Sequence, residues 1–258
     1  MSNDDRLTRR GLMARLLAGA SVLVLNGCDK LSETTWFPGV LGLGEKATHK
    51  IQRLVVPRKA MAQEFPATDL SPQFRSNGTA MPNNQTYRAL AAKGFTDYRL
   101  EVGGLVERPV TLTLAEIRRL PSRTQITRHD CVEGWSAIGK WKGARLSALL
   151  EVVHPKPDAR YVVVYCADPM GEDGGSLYYE SIDLEDAFHP QTILAYELND
   201  EPVPIKNGAP LRLRLERQLG YKMAKYVMRL EIVEDFSRIA GGKGGYWEDR
   251  GYEWYAGI

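Results

Sequence analysis

The stretch TRHDCVEGWSAIGKW, residues 127–141, places one of only three cysteines between a charged run and a Trp-containing segment. Just upstream, RTQITRHD (123–130) alternates and reads as a strand that runs straight into Cys131. A free cysteine often behaves as a small hydrophobe in a core, which is one reading of Cys131. Arg128, His129, Asp130 and Glu133 surround it in sequence, and nearby cations favour the thiolate, the form that acts as nucleophile or soft-metal ligand. A nucleophile needs a histidine base, and His49, His129, His154 and His189 are the candidates. There is no CxxC and no paired His–Cys spacing for zinc. The residues alone leave structural, nucleophilic and ligand roles open.

Working outward, the pattern from Asp97 is rich in short strands. YRLEVGGLV (98–106), VTLTL (110–114), YVVVYCAD (161–168), SLYYESI (176–182), TILAYEL (192–198), LRLRLE (211–216) and YVMRLEIVED (226–235) all read as strands. TLAEIRRL (113–120) reads as a short helix capped by Thr113, and RLSALLEVV (145–153) and LEDAFH (184–189) are also helical. Strands and helices do not alternate regularly, so a doubly wound sheet is excluded. The expectation is an α+β domain of mixed sheets and short helices. It divides into an extended, Pro- and Gly-rich segment over 29–95 with a short helix near Tyr87–Ala92, a core over 96–235, and a Gly- and aromatic-rich tail over 236–258 that docks. GGKGG (241–245) lacks the Ser or Thr and the strand–loop–helix frame of a phosphate loop.

Residues 1–28 read as an address. Thr8-Arg9-Arg10 precedes an apolar stretch from Gly11 to Leu25, the layout of a secretory signal of the twin-arginine type. LNGC (25–28) resembles a lipobox, which would make Cys28 a lipid anchor. Simple cleavage and an uncleaved anchor are the competing outcomes. The formal net charge is +2, but these 28 residues carry Arg6, Arg9, Arg10 and Arg15 against Asp4 and Asp5. The remainder balances, and no basic stripe points to nucleic acid. In an exported protein Cys131 and Cys166 would be free to form one disulfide, unless one of them is a ligand.

CVEGWS after ITRH, with RYVVVYCAD about thirty residues on, resembles the molybdopterin-binding domain of the sulfite oxidase family. It is most similar to the branch of periplasmic protein-methionine-sulfoxide reductase catalytic subunits. FRSNGTAMP (74–82), YRLEVGGLVERPVTLTLAEI (98–117), DAFHPQTILAYELNDEPVPIKNGAPLRLRLE (186–216) and LGYKMAKYVMRLEIVED (219–235) extend the likeness over roughly 74–234. The resemblance implies a sulfite-oxidase-type fold, a molybdenum–molybdopterin cofactor, and Cys131 as the thiolate on molybdenum. It implies Asn77 at the pterin or metal pocket, with Arg75 and Thr79 beside it. Cys166 matches a cofactor contact at which relatives carry a hydroxyl residue, so the backbone alone is the other possibility. NGAPLR implies Asn207 and Arg212 on the pterin and its phosphate, although Asn-Gly between apolar runs is also a hairpin signal. GYKMAK implies Lys225 and the backbone of Met223 and Ala224, the lysine answering a phosphate. Glu133 is a second-layer, substrate-facing or solvated carboxylate. His189 reads as a packing or cap residue, Trp135 and Trp141 as core, and Arg217 as an anion contact.

VEGWS, rather than the GNRR type, favours the reductase branch. The expected activity is two-electron oxygen-atom transfer that reduces a sulfoxide-type substrate, a small molecule or methionine sulfoxide. Electrons would come from a membrane haem-b subunit or a c-type cytochrome. No cytochrome domain precedes the core and no dimerisation domain follows residue 235, so a monomer is expected. The tail departs from the reductases and is a candidate to close the pocket differently. Sulfite dehydrogenation is the alternative reaction. A non-enzymatic exported lipoprotein and a metal-free cysteine enzyme are the alternatives of other classes.

Overall fold

The YVVVYCAD run forms the centre of β5 (Tyr161–Met170), a strand buried on both faces along most of its length. Burial on both sides is why its sequence is a continuous apolar run rather than an alternation. The computed structural model describes residues 59–170 and 175–258, with scattered positions between 34 and 57. The chain divides into two units, 1–55 and 56–258. In the first, Trp36 and Phe37 meet edge to face at 5.6 Å. The twin-arginine segment, Cys28 and His49 lie outside the described residues, among which no helix is long and apolar enough to cross a membrane.

In the second unit, β5 belongs to a five-stranded mixed sheet with β1 (Arg99–Gly104), β2 (Val110–Thr113), β6 (Ser176–Asp183) and β10 (Val227–Val233), ordered β2-β1-β10-β5-β6. Only β1 and β10 run parallel. A second, antiparallel sheet holds β3 (Ser122–Cys131), β4 (Trp135–Arg145), β7 (Ile193–Leu198) and β8 (Glu201–Pro202), with β9 (Arg212–Arg214) also on β7. The helices are short: α1 (Gln85–Ala92), α2 (Leu114–Arg119), α3 (Leu146–Val153) and α4 (Leu184–Ala187). Thr113 caps α2 as read, in a capping box with Glu116. α3 buries Leu146, Leu149, Leu150 and Val153 in the main core and ends at His154 in the left-handed conformation.

Three expectations change. β4 is the longest strand among the described residues, and the sequence pattern does not mark it. Cys131 and Cys166 are both free, so the disulfide does not form. Asn207-Gly208 is not a hairpin: Ile205–Asn207 is a 3-10 turn closed by Gly208, and the flanking strands β8 and β9 both pair with β7 rather than with each other. The tight hairpin lies at Asn199-Asp200, where both residues have positive φ and join β7 to β8.

Candidate active site

Cys131 is the last residue of β3 and sits opposite Trp135 across the β3–β4 hairpin. The turn Val132-Glu133-Gly134 closes with Gly134 N–H donating to the Cys131 carbonyl at 3.0 Å, and Gly134 has φ +83°. Cys131 therefore stands at the tip of a rigid hairpin. Alternation puts His129 on the same buried side, and Arg128 and Asp130 on the other. Arg128 and Asp130 pair with each other, Nε to Oδ1 at 2.9 Å, and Ser136 Oγ donates to Asp130. The cations that act on the thiol are therefore Arg212 and Arg75, not Arg128. Burial pushes the Cys131 thiol up; the Glu133 backbone N–H opposes it, the Glu133 carboxylate adds to it, and the two arginines oppose it.

A cleft of about 220 Å³ opens on Cys131. One side is the 77–79 segment, with Asn77 and Thr79. The hairpin supplies Cys131, Val132 and Glu133; β5 and β6 supply Asp168, Met170 and Tyr178; the 220–225 loop supplies Tyr221, Met223, Ala224 and Lys225. The tail contributes Trp247 and Tyr252. The structure thus brings Asn77, Thr79, Cys131, Glu133, Met223, Ala224 and Lys225 together. Cys166 is not on the cleft: its side chain is in the main core, so only its backbone remains for a ligand. Asn207 and Arg212 are buried beside the cleft rather than lining it.

Lys225 differs from expectation. Its ammonium donates to the carbonyls of Asn77 (2.6 Å), Thr79 (2.5 Å) and Lys206 (3.0 Å). It clamps the 77–79 segment, and burial, then Arg212, pushes its pKa down to about 7. Arg212 is fully buried; Nη1 donates to the Asn207 carbonyl at 3.2 Å, while Nε and Nη2 have no partner. Arg217 is not an anion contact in the cleft: it bonds Asp186. His189 is the packing residue expected, its Nε2 3.0 Å from the Ala60 carbonyl and its Nδ1 accepting from Gln191 N–H. Trp141 is fully buried in the core on the second sheet, and Trp135 packs at its edge, donating to Glu133 at 3.0 Å.

Among the described histidines the nucleophile reading finds no base. His154 is a helix cap near Glu107, and His189 packs elsewhere. His129 Nδ1 accepts from Arg214 at 3.1 Å and touches Met223 Sδ at 3.2 Å. Burial, then Arg212, Arg214 and Lys225, holds His129 well below its ordinary value. No hydrogen bond joins Cys131 to a histidine among the described residues. Nor do three or more His, Cys, Asp or Glu side chains converge as a metal cage among them. A metal on this thiol would have to bring its other ligands with it.

That is the character of a pterin-borne metal, and the surroundings fit one. Asn77 Oδ1, Asp168 Oδ1 and two nitrogens of Arg212 are buried without partners, which is costly unless a polar ligand answers them. The model for the oxidoreductase molybdopterin binding domain matches residues 88–239. The chain belongs to that family. It is therefore an oxidoreductase with a molybdopterin-binding domain, built on mixed sheets and short helices. A protein of Azospira oryzae named as protein-methionine-sulfoxide reductase subunit YedZ1 is 34% identical over 249 residues, 96% of this chain and 87% of that one. The protein-methionine-sulfoxide reductase catalytic subunit of Xanthomonas axonopodis is 35% identical over 151 residues, 55% of this chain and 47% of that relative. Among solved structures, sulfane dehydrogenase SoxCD of Paracoccus pantotrophus aligns with a TM-score of 0.49 at 26% identity, covering 54% of this chain and 39% of that one.

Sequence reasoning missed Asp168, Tyr178 and Tyr221. Asp168 had a signal: an acid closing the buried YVVVYCAD run. Burial pushes its carboxyl up to about 6.

Proposed function

We propose that this chain is the catalytic subunit of an exported molybdenum-cofactor enzyme that reduces a sulfoxide. The overall change is R2SO + 2 e− + 2 H+ to R2S + H2O. The observation that carries the reading is a lone cysteine, Cys131, at the tip of a hydrogen-bonded hairpin in a cleft whose neighbouring polar groups are buried and unanswered. Cys131 would hold molybdenum. Asn77, Thr79, Asn207, Arg212 and the backbone of Cys166, Met223 and Ala224 would hold the molybdopterin, with Lys225 acting through the segment it clamps. When bound, the cofactor supplies a two-electron centre that exchanges an oxygen atom with the substrate.

The chain's own groups favour a neutral substrate. Glu133, fixed by Trp135, puts a carboxylate at the cleft, and Asp168 adds a second carboxyl. Lys225 spends its donors on three carbonyls. The two carboxyls weigh against an anion such as sulfite more than against a neutral sulfoxide. The relatives' names point the same way. The two electrons come from a membrane haem-b subunit or a c-type cytochrome. The basic-then-apolar 1–28 segment supports twin-arginine export to the periplasm, with Cys28 as an optional lipid anchor.

The test is purification from a host that makes the cofactor, followed by metal analysis and assays with artificial electron carriers. Stoichiometric molybdenum and sulfoxide turnover are expected, and Cys131→Ser should abolish turnover. Rapid sulfite oxidation without sulfoxide reduction would replace this reading with the dehydrogenase. A metal-free protein with an iodoacetamide-reactive Cys131 would replace it with the cysteine enzyme. Full activity in Cys131→Ser is incompatible with the mechanism.

A further inference from the structure

The cleft is asymmetric. Around Cys131 it is polar, but on the tail side it is a wall of rings. Trp247 and Tyr252 stack, with centroids 5.3 Å apart and planes at 29°, and both line the cleft. Tyr221 meets Tyr252 edge on at 5.1 Å, and Tyr246 meets Trp247 edge on at 5.3 Å. Tyr252 remains 39% exposed, so its ring is open to a ligand.

The wall is fixed from behind. Glu248, next to Trp247, accepts from the buried Lys222 ammonium at 2.6 Å, and Lys222 also bonds Glu180 on β6. Asp249 accepts from Tyr179 Oη (2.6 Å) and from the Gly241 (2.9 Å) and Lys243 (3.0 Å) backbone N–H groups. Tyr252 N–H returns to the Trp247 carbonyl at 3.0 Å, holding the two rings in register.

We propose that the stacked Trp247–Tyr252 pair is the specificity-determining wall of the cleft, seating the alkyl groups that flank a sulfoxide sulfur while Cys131 marks the reacting end. The proposal rests on the sulfoxide-reductase reading and adds to it the residues that choose among sulfoxides. Alkyl and S-methyl groups pack favourably on aromatic rings, and each such contact is individually modest. A longer side chain such as that of methionine sulfoxide gains from both rings. Dimethyl sulfoxide, with two methyl groups only, gains from less of the wall.

The experiment compares holoenzyme with Trp247→Ala, Tyr252→Ala and the conservative Tyr252→Phe. It measures kcat/KM for methionine sulfoxide and dimethyl sulfoxide, and calorimetric binding of methionine sulfoxide to the oxidised protein. Each alanine variant should lower the methionine sulfoxide to dimethyl sulfoxide ratio of kcat/KM about tenfold, chiefly through KM, and weaken binding similarly. Tyr252→Phe keeps the ring and should stay near wild type. Loss of both substrates in proportion, or no change, overturns the wall. If wild type binds methionine sulfoxide through these residues but reduces no sulfoxide, the reaction reading fails and the wall stands. If wild type reduces sulfoxides and the alanine variants are unaffected, the wall fails and the reaction stands. If wild type binds no sulfoxide at all, both fail.

Discussion

Lys222 is fully buried between Tyr221 and Met223, which line the cleft, and it faces the other way, into two carboxylates. Its ammonium is 2.5 Å from Glu180 Oε1 and 2.6 Å from Glu248 Oε1. One cation between two carboxylates leaves an excess negative charge unless a proton is kept. Burial pushes the Glu180 carboxyl well above its ordinary range; Lys222 opposes this and Glu248 adds to it. A carboxyl with a raised folded-state pKa stabilises the fold below its unfolded pKa and loses that contribution as pH rises through the folded value. Lys222→Met removes the one cation that answers this buried carboxylate pair. It should cost about 3 kcal/mol or more near neutral pH, because it leaves buried charge unanswered. The loss should shrink in acid, at about pH 3, more than a unit below the ordinary glutamate pKa of about 4.3, where a glutamate carboxyl is protonated even in an unfolded chain. Urea denaturation at the two pH values checks this, and an equal loss at both would refute it. None of this was visible in sequence, because GYKMAK shows a basic residue but not that it points inward. The Lys225 clamp was hidden for the same reason. Its partners are backbone carbonyls, two of them well over a hundred positions away, which no side-chain pattern records.

At the scale of elements, the strands that the pattern revealed are those with a dense or alternating apolar set, such as β1, β5 and β10. β4 escaped because its sequence, WSAIGKWKGAR, spends two positions on glycine. Both are there for close approach. A Cβ at Gly139 would lie 2.8 Å from the Phe74 ring, and one at Gly143 would lie 2.3 Å from the Leu194 carbonyl oxygen. Glycine inside a strand weakens the sequence signal at the places where packing is tightest. The β3–β4 turn carries a further expectation. Gly134 has φ +83° and open space around a would-be Cβ, so a side chain there meets only backbone strain. Gly134→Ala should cost about 1 kcal/mol in thermal or urea unfolding, and Gly134→Asn less, because asparagine tolerates the left-handed region. If the two variants are equally stable to wild type, the turn is not held as described.

At the scale of the whole second unit, most strands other than β4 and β8 followed from the pattern, but their division into two sheets did not. Short strands separated by long connections do not say which will pair, and β7 pairs with three partners. The tail was expected to dock, and its aromatic content is the reason it does. Phe236 and Trp254 stack at 5.8 Å, Trp254 meets Tyr161 edge on at 5.5 Å, and Trp254 Nε1–H donates to Ser181 at 2.8 Å. Its backbone is pinned as well. Tyr246 N–H donates to the Tyr179 carbonyl at 3.0 Å, Leu219 N–H to the Ala256 carbonyl at 2.9 Å, and Ile258 N–H to the Arg217 carbonyl at 3.0 Å. Gly245 bridges Glu180 on β6, the edge strand of the first sheet, and so covers an edge that would otherwise be free to pair. Truncation after Asp235 therefore removes an edge cover, an aromatic cluster and one carboxylate of the Lys222 site together. Losing the burial of several aromatic side chains should cost on the order of 5 kcal/mol. The shortened chain should unfold at lower urea, with a smaller denaturant slope because less surface is exposed on unfolding. It should also be cut faster by protease in the 217–222 loop that the tail ties down. An unchanged midpoint with an unchanged cleavage pattern would show that the tail is an appendage, and the wall it carries over the cleft would lose its support.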